Sequence, residues 1–131
     1  MSGEDRIRDR CAVFGIWGVD KPAEYVYLGL HNLQHRGQES SGIVTASRRK
    51  FHSHHGMGIV NEIFTERMLA EMNGRGAIGH NRYSTMGTSS IENAQPLIAE
   101  TKNGPVAIAH NGQFANCASE KRRLQQEGCI F

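Results

Sequence analysis

Apolar residues in this chain come in short runs, each stopped by glycine, a turn dipeptide or charge. CAVFGIWG (11–18), SGIVTAS (41–47), GAIGHNRYS (76–84), LIAE (97–100) and VAIAH (106–110) all follow that rule. Their length and flanks fit strands better than helices. The segment KFHSHH (50–55) forms a hairpin-like pair with SGIVTAS, and Asn103-Gly104 is a hairpin turn signal between LIAE and VAIAH. With 15 glycines in 131 residues, the pattern favours one α+β or layered-sandwich unit over an all-helical fold. Helical spacing is confined to three places. The first follows Asp20 as cap and Pro22 in the first turn, with Tyr25, Leu28 or Gly29, and Leu33 recurring. A second, FTERMLAEMNG (64–74), turns Met68, Leu69 and Met72 inward and stops at Gly74. A third, CASEKRRLQQEG (117–128), starts at Asn116 as cap and closes at Gly128.

A formal net charge of +2 without a long basic run gives no electrostatic reason to expect nucleic acid or an anionic membrane as partner. Arg48 to Lys50 and Lys121 to Arg123 read as solvated faces. No apolar run approaches the roughly 20 residues of a membrane span, and residues 1–10 lack the apolar region of a signal peptide, so a cytoplasmic protein is expected. Cys11, Cys117 and Cys129 show no CxxC spacing and indicate neither a disulfide framework nor a zinc site. The stretch FHSHHG (51–56) has too few ligand types nearby for a metal and reads as a solvated strand. Residues 1–10 hold one sizeable apolar side chain, Ile7, so order is expected to begin at Cys11.

Four further places can carry chemistry. Cys11, at the boundary between charged and apolar sequence, can act as an N-terminal nucleophile with its own α-amino group as base, which requires removal of residues 1–10. On position alone, a buried strand cysteine is the commoner reading. In GHNRYSTMG (79–87), the planar fork of Arg82 suits a substrate carboxylate and Thr85 can add a hydroxyl, against the plainer reading of a surface arginine. In HNGQFAN (110–116), the Asn111 side-chain amide and the Gly112 N–H are suitable oxyanion donors, although the dipeptide alone is also an ordinary turn. Arg36, in LQHRGQESSG (33–42), can bind carbonyls near the nucleophile or simply complement a helix C-terminus.

Taken together, CAVFGIWG, LQHRGQESSGI, GHNRYSTMG, ENAQP and HNGQFAN resemble, in order and spacing, the glutaminase domain of the amidophosphoribosyltransferase family. That resemblance covers residues 11–131. It implies the four-layer αββα sandwich of N-terminal-nucleophile hydrolases, truncated at its C-terminal side, with residues 1–10 a propeptide and 11–131 a partial class II glutamine amidotransferase domain. It also implies that Cys11 forms a thioester with glutamine, Arg82 and Thr85 hold the glutamine α-carboxylate, Asn111 and Gly112 form the oxyanion hole, and Arg36 supports the nucleophile. Ammonia would then form phosphoribosylamine from phosphoribosylpyrophosphate in a phosphoribosyltransferase domain expected to be absent here. Mg2+ and, in some members, a 4Fe-4S cluster belong to that absent part, so no cofactor is expected in this chain. Cys117 and Cys129 are expected to be packing residues. Full-length relatives are expected to be homo-oligomers. The resemblance further implies an aspartate for the α-ammonium group in a Ser-Asp-Thr-Glu segment beyond Phe131. Two alternatives stand beside this reading. One is an inert fragment or interaction module, the other the glutaminase half of a relative such as glucosamine-6-phosphate synthase.

Overall fold

The structure, a computed structural model, describes residues 11–48, 50–83, 90–112 and 114–130. The expected propeptide (1–10) and Thr85 lie outside the described residues.

Chain order is β1 (Ala12–Trp17), α1 (Pro22–Asn32), a 3-10 turn (Gln34–Arg36), β2 (Ser40–Ser47), β3 (Lys50–Met57), α2 (Val60–Ile63), α3 (Glu66–Glu71), β4 (Gly76–Arg82), a second 3-10 turn (Ile91–Asn93), β5 (Leu97–Thr101), β6 (Gly104–Ile108) and α4 (Cys117–Gln126). All five apolar runs are strands or strand cores, and the Asn103-Gly104 turn closes β5 onto β6 with Gly104 at φ 109.

Four strands form an antiparallel sheet in the order β1-β4-β2-β3, and β5-β6 form a second, two-stranded sheet. Strand alternation sorts the first sheet into two faces. Phe14, Ile16, Ile43, Gly79 and Ala77 fall on the face that receives α1, and Val26 and Leu30 would touch a Cβ at Gly79 at 2.4 and 2.8 Å. The buried core lies here: Ala23, Val26, Leu30, Ile43, Val60, Phe64, Leu69, Met72 and Ala77. Buried polar groups on this face pair with one another, Ser41 Oγ donating to Asn81 Oδ1 (2.7 Å) and Asn81 Nδ2 to the Leu30 carbonyl (2.8 Å). The opposite face looks toward β5-β6 and borders a cavity of about 400 Å³ lined by Gly15, Trp17, Val44, Ile78 and Ala107, among others.

Several local expectations need correction. Helix α1 begins after Lys21, which sits in the left-handed region (φ 53) without a side-chain cap, so Asp20 does not cap it. Helix α3 ends at Glu71, and Gly74 instead lies against β2, where a Cβ would come within 2.6 Å of the Ala46 carbonyl. Asn116 precedes α4 but makes no capping bond to its backbone; its amide reaches Glu120. Cys117 and Cys129 are exposed rather than packed. Strand β3 is not simply solvated: His54 meets the Phe64 ring edge-on (5.4 Å), and His55 bonds the Pro96 carbonyl (2.7 Å). No helix among the described residues is long and apolar enough to cross a membrane.

Candidate active site at Cys11

Register places Ala12 of β1 opposite Asn81 of β4, which carries Cys11 to the strand end where Arg82 and Tyr83 emerge. The Tyr83 N–H donates to Cys11 Sγ (3.3 Å), and the thiol in turn faces the Tyr83 carbonyl (3.6 Å). Arg36, the last residue of the first 3-10 turn, grips the Cys11 backbone twice. Its carbonyl accepts the Cys11 N–H (2.9 Å), and its Nε donates to the Cys11 carbonyl (2.9 Å). Asn111, beyond the end of β6, donates from Nδ2 to the same carbonyl (3.3 Å). Cys11 is held at φ 62, a left-handed conformation unusual outside glycine.

Of the sequence-selected residues, the fold therefore brings Cys11, Arg36 and Asn111 into direct contact. Gly112 follows Asn111 at φ 144, where a Cβ would stand 2.8 Å from the His110 ring, so the conformation demands glycine. Arg82 precedes Tyr83 and is anchored by other groups than Cys11: Nε pairs with Glu39 Oε2 (3.1 Å) and Nη1 donates to the Asn93 carbonyl (3.2 Å). Both members of this pair are largely buried, with 23% and 13% of their side chains exposed. Glu39 is itself fixed, its N–H donating to the Arg82 carbonyl (2.9 Å) and its carbonyl accepting from Gly58 (2.8 Å).

The sequence reading missed Glu39, His80, Gln95 and the Tyr83 backbone. His80 is fully buried on β4, with Nε2 3.2 Å from the His110 carbonyl and Nδ1 without a partner among the described residues. Desolvation, reinforced by the nearby Arg82 and His110 charges and partly offset by the His110 carbonyl and by the Asn111 side chain, which favour the protonated ring, lowers its pKa from 6.5 to about 4. Gln95 accepts the His110 N–H on Oε1 (2.7 Å). A signal for His80 existed: two residues before Arg82 on a strand, it shares that arginine's face. Among the described residues, no group of three or more His, Cys, Asp or Glu side chains is arranged to hold a metal ion.

No family model matches the chain. It is similar to the amidophosphoribosyltransferase of Bacillus subtilis, at 44% identity over 126 residues, covering 95% of this chain and 26% of the relative. The amidophosphoribosyltransferase of Methanothermobacter thermautotrophicus is 45% identical over 134 residues, covering all of this chain and 28% of the relative. Among solved structures, the glutamine phosphoribosylpyrophosphate amidotransferase from B. subtilis, complexed with ADP and GMP, superposes with a TM-score of 0.80 at 45% identity. That match covers 91% of this chain and 26% of the solved chain. The chain thus spans about a quarter of the length of these relatives.

Proposed function

Because this chain is homologous over nearly its whole length to the amino-terminal glutaminase region of amidophosphoribosyltransferases, we propose that it carries the glutamine-hydrolysing site of an enzyme of that family. The observation that supports this most is the hold on Cys11, whose N–H, carbonyl and thiol are each engaged by Arg36, Asn111 or Tyr83. A cysteine serving only as strand packing has no need of such contacts.

In this reading residues 1–10 are removed and Cys11 gains a free α-amino group. A non-glycine residue in the left-handed region is strained by about 1–2 kcal/mol, and a terminal residue no longer has the φ of 62° that imposes it. The amine keeps its bond to the Arg36 carbonyl and takes the thiol proton, directly or through one water. The Tyr83 N–H stabilises the sulfur as it becomes a thiolate. Sulfur attacks the side-chain carboxamide carbon of glutamine, and the oxyanion receives hydrogen bonds from Asn111 Nδ2 and the Gly112 N–H. Collapse breaks the C–N bond, the α-ammonium returns its proton to the leaving nitrogen, and ammonia departs from a thioester that water cleaves to glutamate. Arg82, kept in place by Glu39, receives the substrate α-carboxylate with Thr85.

Ammonia so produced is used to displace pyrophosphate from phosphoribosylpyrophosphate, giving phosphoribosylamine, a step we assign to sequence outside this chain. No residue of this chain is assigned to Mg2+ or to a 4Fe-4S cluster. The reading carries with it a cytoplasmic, homo-oligomeric enzyme. Intact mass and labelling by 6-diazo-5-oxo-norleucine test it: loss of ten residues with the label on Cys11 is expected. Cys11→Ala should lower glutamate release by at least about 1,000-fold. Undiminished glutamine hydrolysis in that variant, or an intact unlabelled chain, overturns the assignment.

A further inference from the structure

Asn111 and Gly112 are exposed and follow the end of an edge strand, an arrangement that on its own leaves oxyanion donors free to wander. The residue before them does not wander. His110 has its N–H bound to Gln95 Oε1 at 2.7 Å and its carbonyl 3.2 Å from His80 Nε2, so both polar ends of its backbone are held. The His110 ring stacks on Phe114 (5.9 Å) and lies where a Gly112 Cβ would be.

The carbonyl can only accept, so His80 carries its hydrogen on Nε2, and the buried Nδ1 is the bare nitrogen of a neutral ring. Nδ1 has no hydrogen-bond partner among the described residues, and Arg82, two residues along the same strand face, opposes a second proton there. The depressed pKa, about 4, agrees with a ring that stays a neutral donor. His80 is set in the middle of the sheet, opposite Val13 of β1 and Gly42 of β2, and is therefore a rigid post.

We propose that His80 is a positioning residue of the glutaminase site, fixing through the His110 carbonyl the loop that presents Asn111 and Gly112 to the reacting carbonyl. This rests on the glutaminase reading for its consequence, but the positioning itself does not. Donors that must be aimed in advance lose much of their effect when displaced by an ångström.

His80→Leu keeps bulk and removes the donor, while His80→Gln returns an N–H near the Nε2 position. Glutamine hydrolysis and amide hydrogen exchange at Asn111 and Gly112 are measured in both, with thermal melts confirming folding. In His80→Leu, kcat should fall by about 10- to 100-fold with KM within about twofold, and His80→Gln should recover most of kcat. Exchange at 111 and 112 should quicken in His80→Leu and return toward the parent rate in His80→Gln. An unchanged kcat in folded His80→Leu, or equal losses in both variants, overturns the proposal. If the parent chain hydrolyses no glutamine, the glutaminase reading fails, and exchange still decides the positioning: faster only in His80→Leu supports it, identical rates refute it.

Discussion

Cys11 takes its described contacts from residues 25, 72 and 100 positions away. Its residue type and place before a strand were readable, as were Arg36 and Asn111 as candidates, but no local rule pairs them. His80 shows the limit more sharply. Its burial and its carbonyl partner arise only when β4 lies between β1 and β2 and the β6 loop folds over it. A pH dependence follows from that burial. The unfolded imidazole binds its proton below about pH 6.5, whereas the folded one does so only near 4, so between these values the unfolded state holds more protons. Stability therefore falls as pH drops from about 6.5 to 4, by a total on the order of 3 kcal/mol. His54, also lowered by burial and by neighbouring His55, adds in the same direction. Urea midpoints at pH 7, 5.5 and 4.5 should decline more steeply in the parent than in His80→Gln, and equal slopes would contradict the assignment.

Elements were read well where the signal is local, because strand length, turn dipeptides and helical period are set by neighbours along the chain. Caps were read poorly. Asp20 and Asn116 have the right side chains, yet α1 starts from a left-handed Lys21 and the Asn116 amide turns to Glu120. Glycine roles divide in the same way. Gly42 on β2 faces the Gln95 carbonyl, which a Cβ would approach to 2.1 Å, while a Cβ at Gly15 on β1 meets its nearest atom at 3.5 Å. Gly42→Ala should cost about 1–3 kcal/mol by forcing the Gln95 backbone away and should also loosen the His110 N–H bond. Gly15→Ala should be neutral or slightly stabilising. Chemical denaturation of the two variants separates them, and a tolerated Gly42→Ala would refute the close packing of Gln95 on β2.

At the scale of the molecule, the two sheets are unequally secured. The first has an apolar core beneath α1, α2 and α3; the second has two strands, and such a hairpin is marginal by itself. Polar ties from the first sheet hold its flanks, His55 to the Pro96 carbonyl, His80 to the His110 carbonyl and Arg82 to the Asn93 carbonyl. Leu97 and Ile108, directly paired across the hairpin, remain 48% and 61% exposed. The chain should bind an apolar dye such as anilinonaphthalene sulfonate, and Leu97→Thr with Ile108→Thr should reduce that binding several-fold. Side chains this exposed should change stability by no more than about 0.5 kcal/mol each; unchanged dye binding would show that the hairpin is not the apolar surface. What the sequence by itself determined was the set of strands and most helices, the nucleophile candidate and the motif order, since periodicity, turn chemistry and residue type are properties of short segments. Only the tertiary structure decided that Arg36 clamps Cys11, that Glu39 holds Arg82 and that His80 stands behind the Asn111 loop. Those contacts depend on strand order and on the stacking of two sheets, which bring together groups that no segment of the chain contains at once.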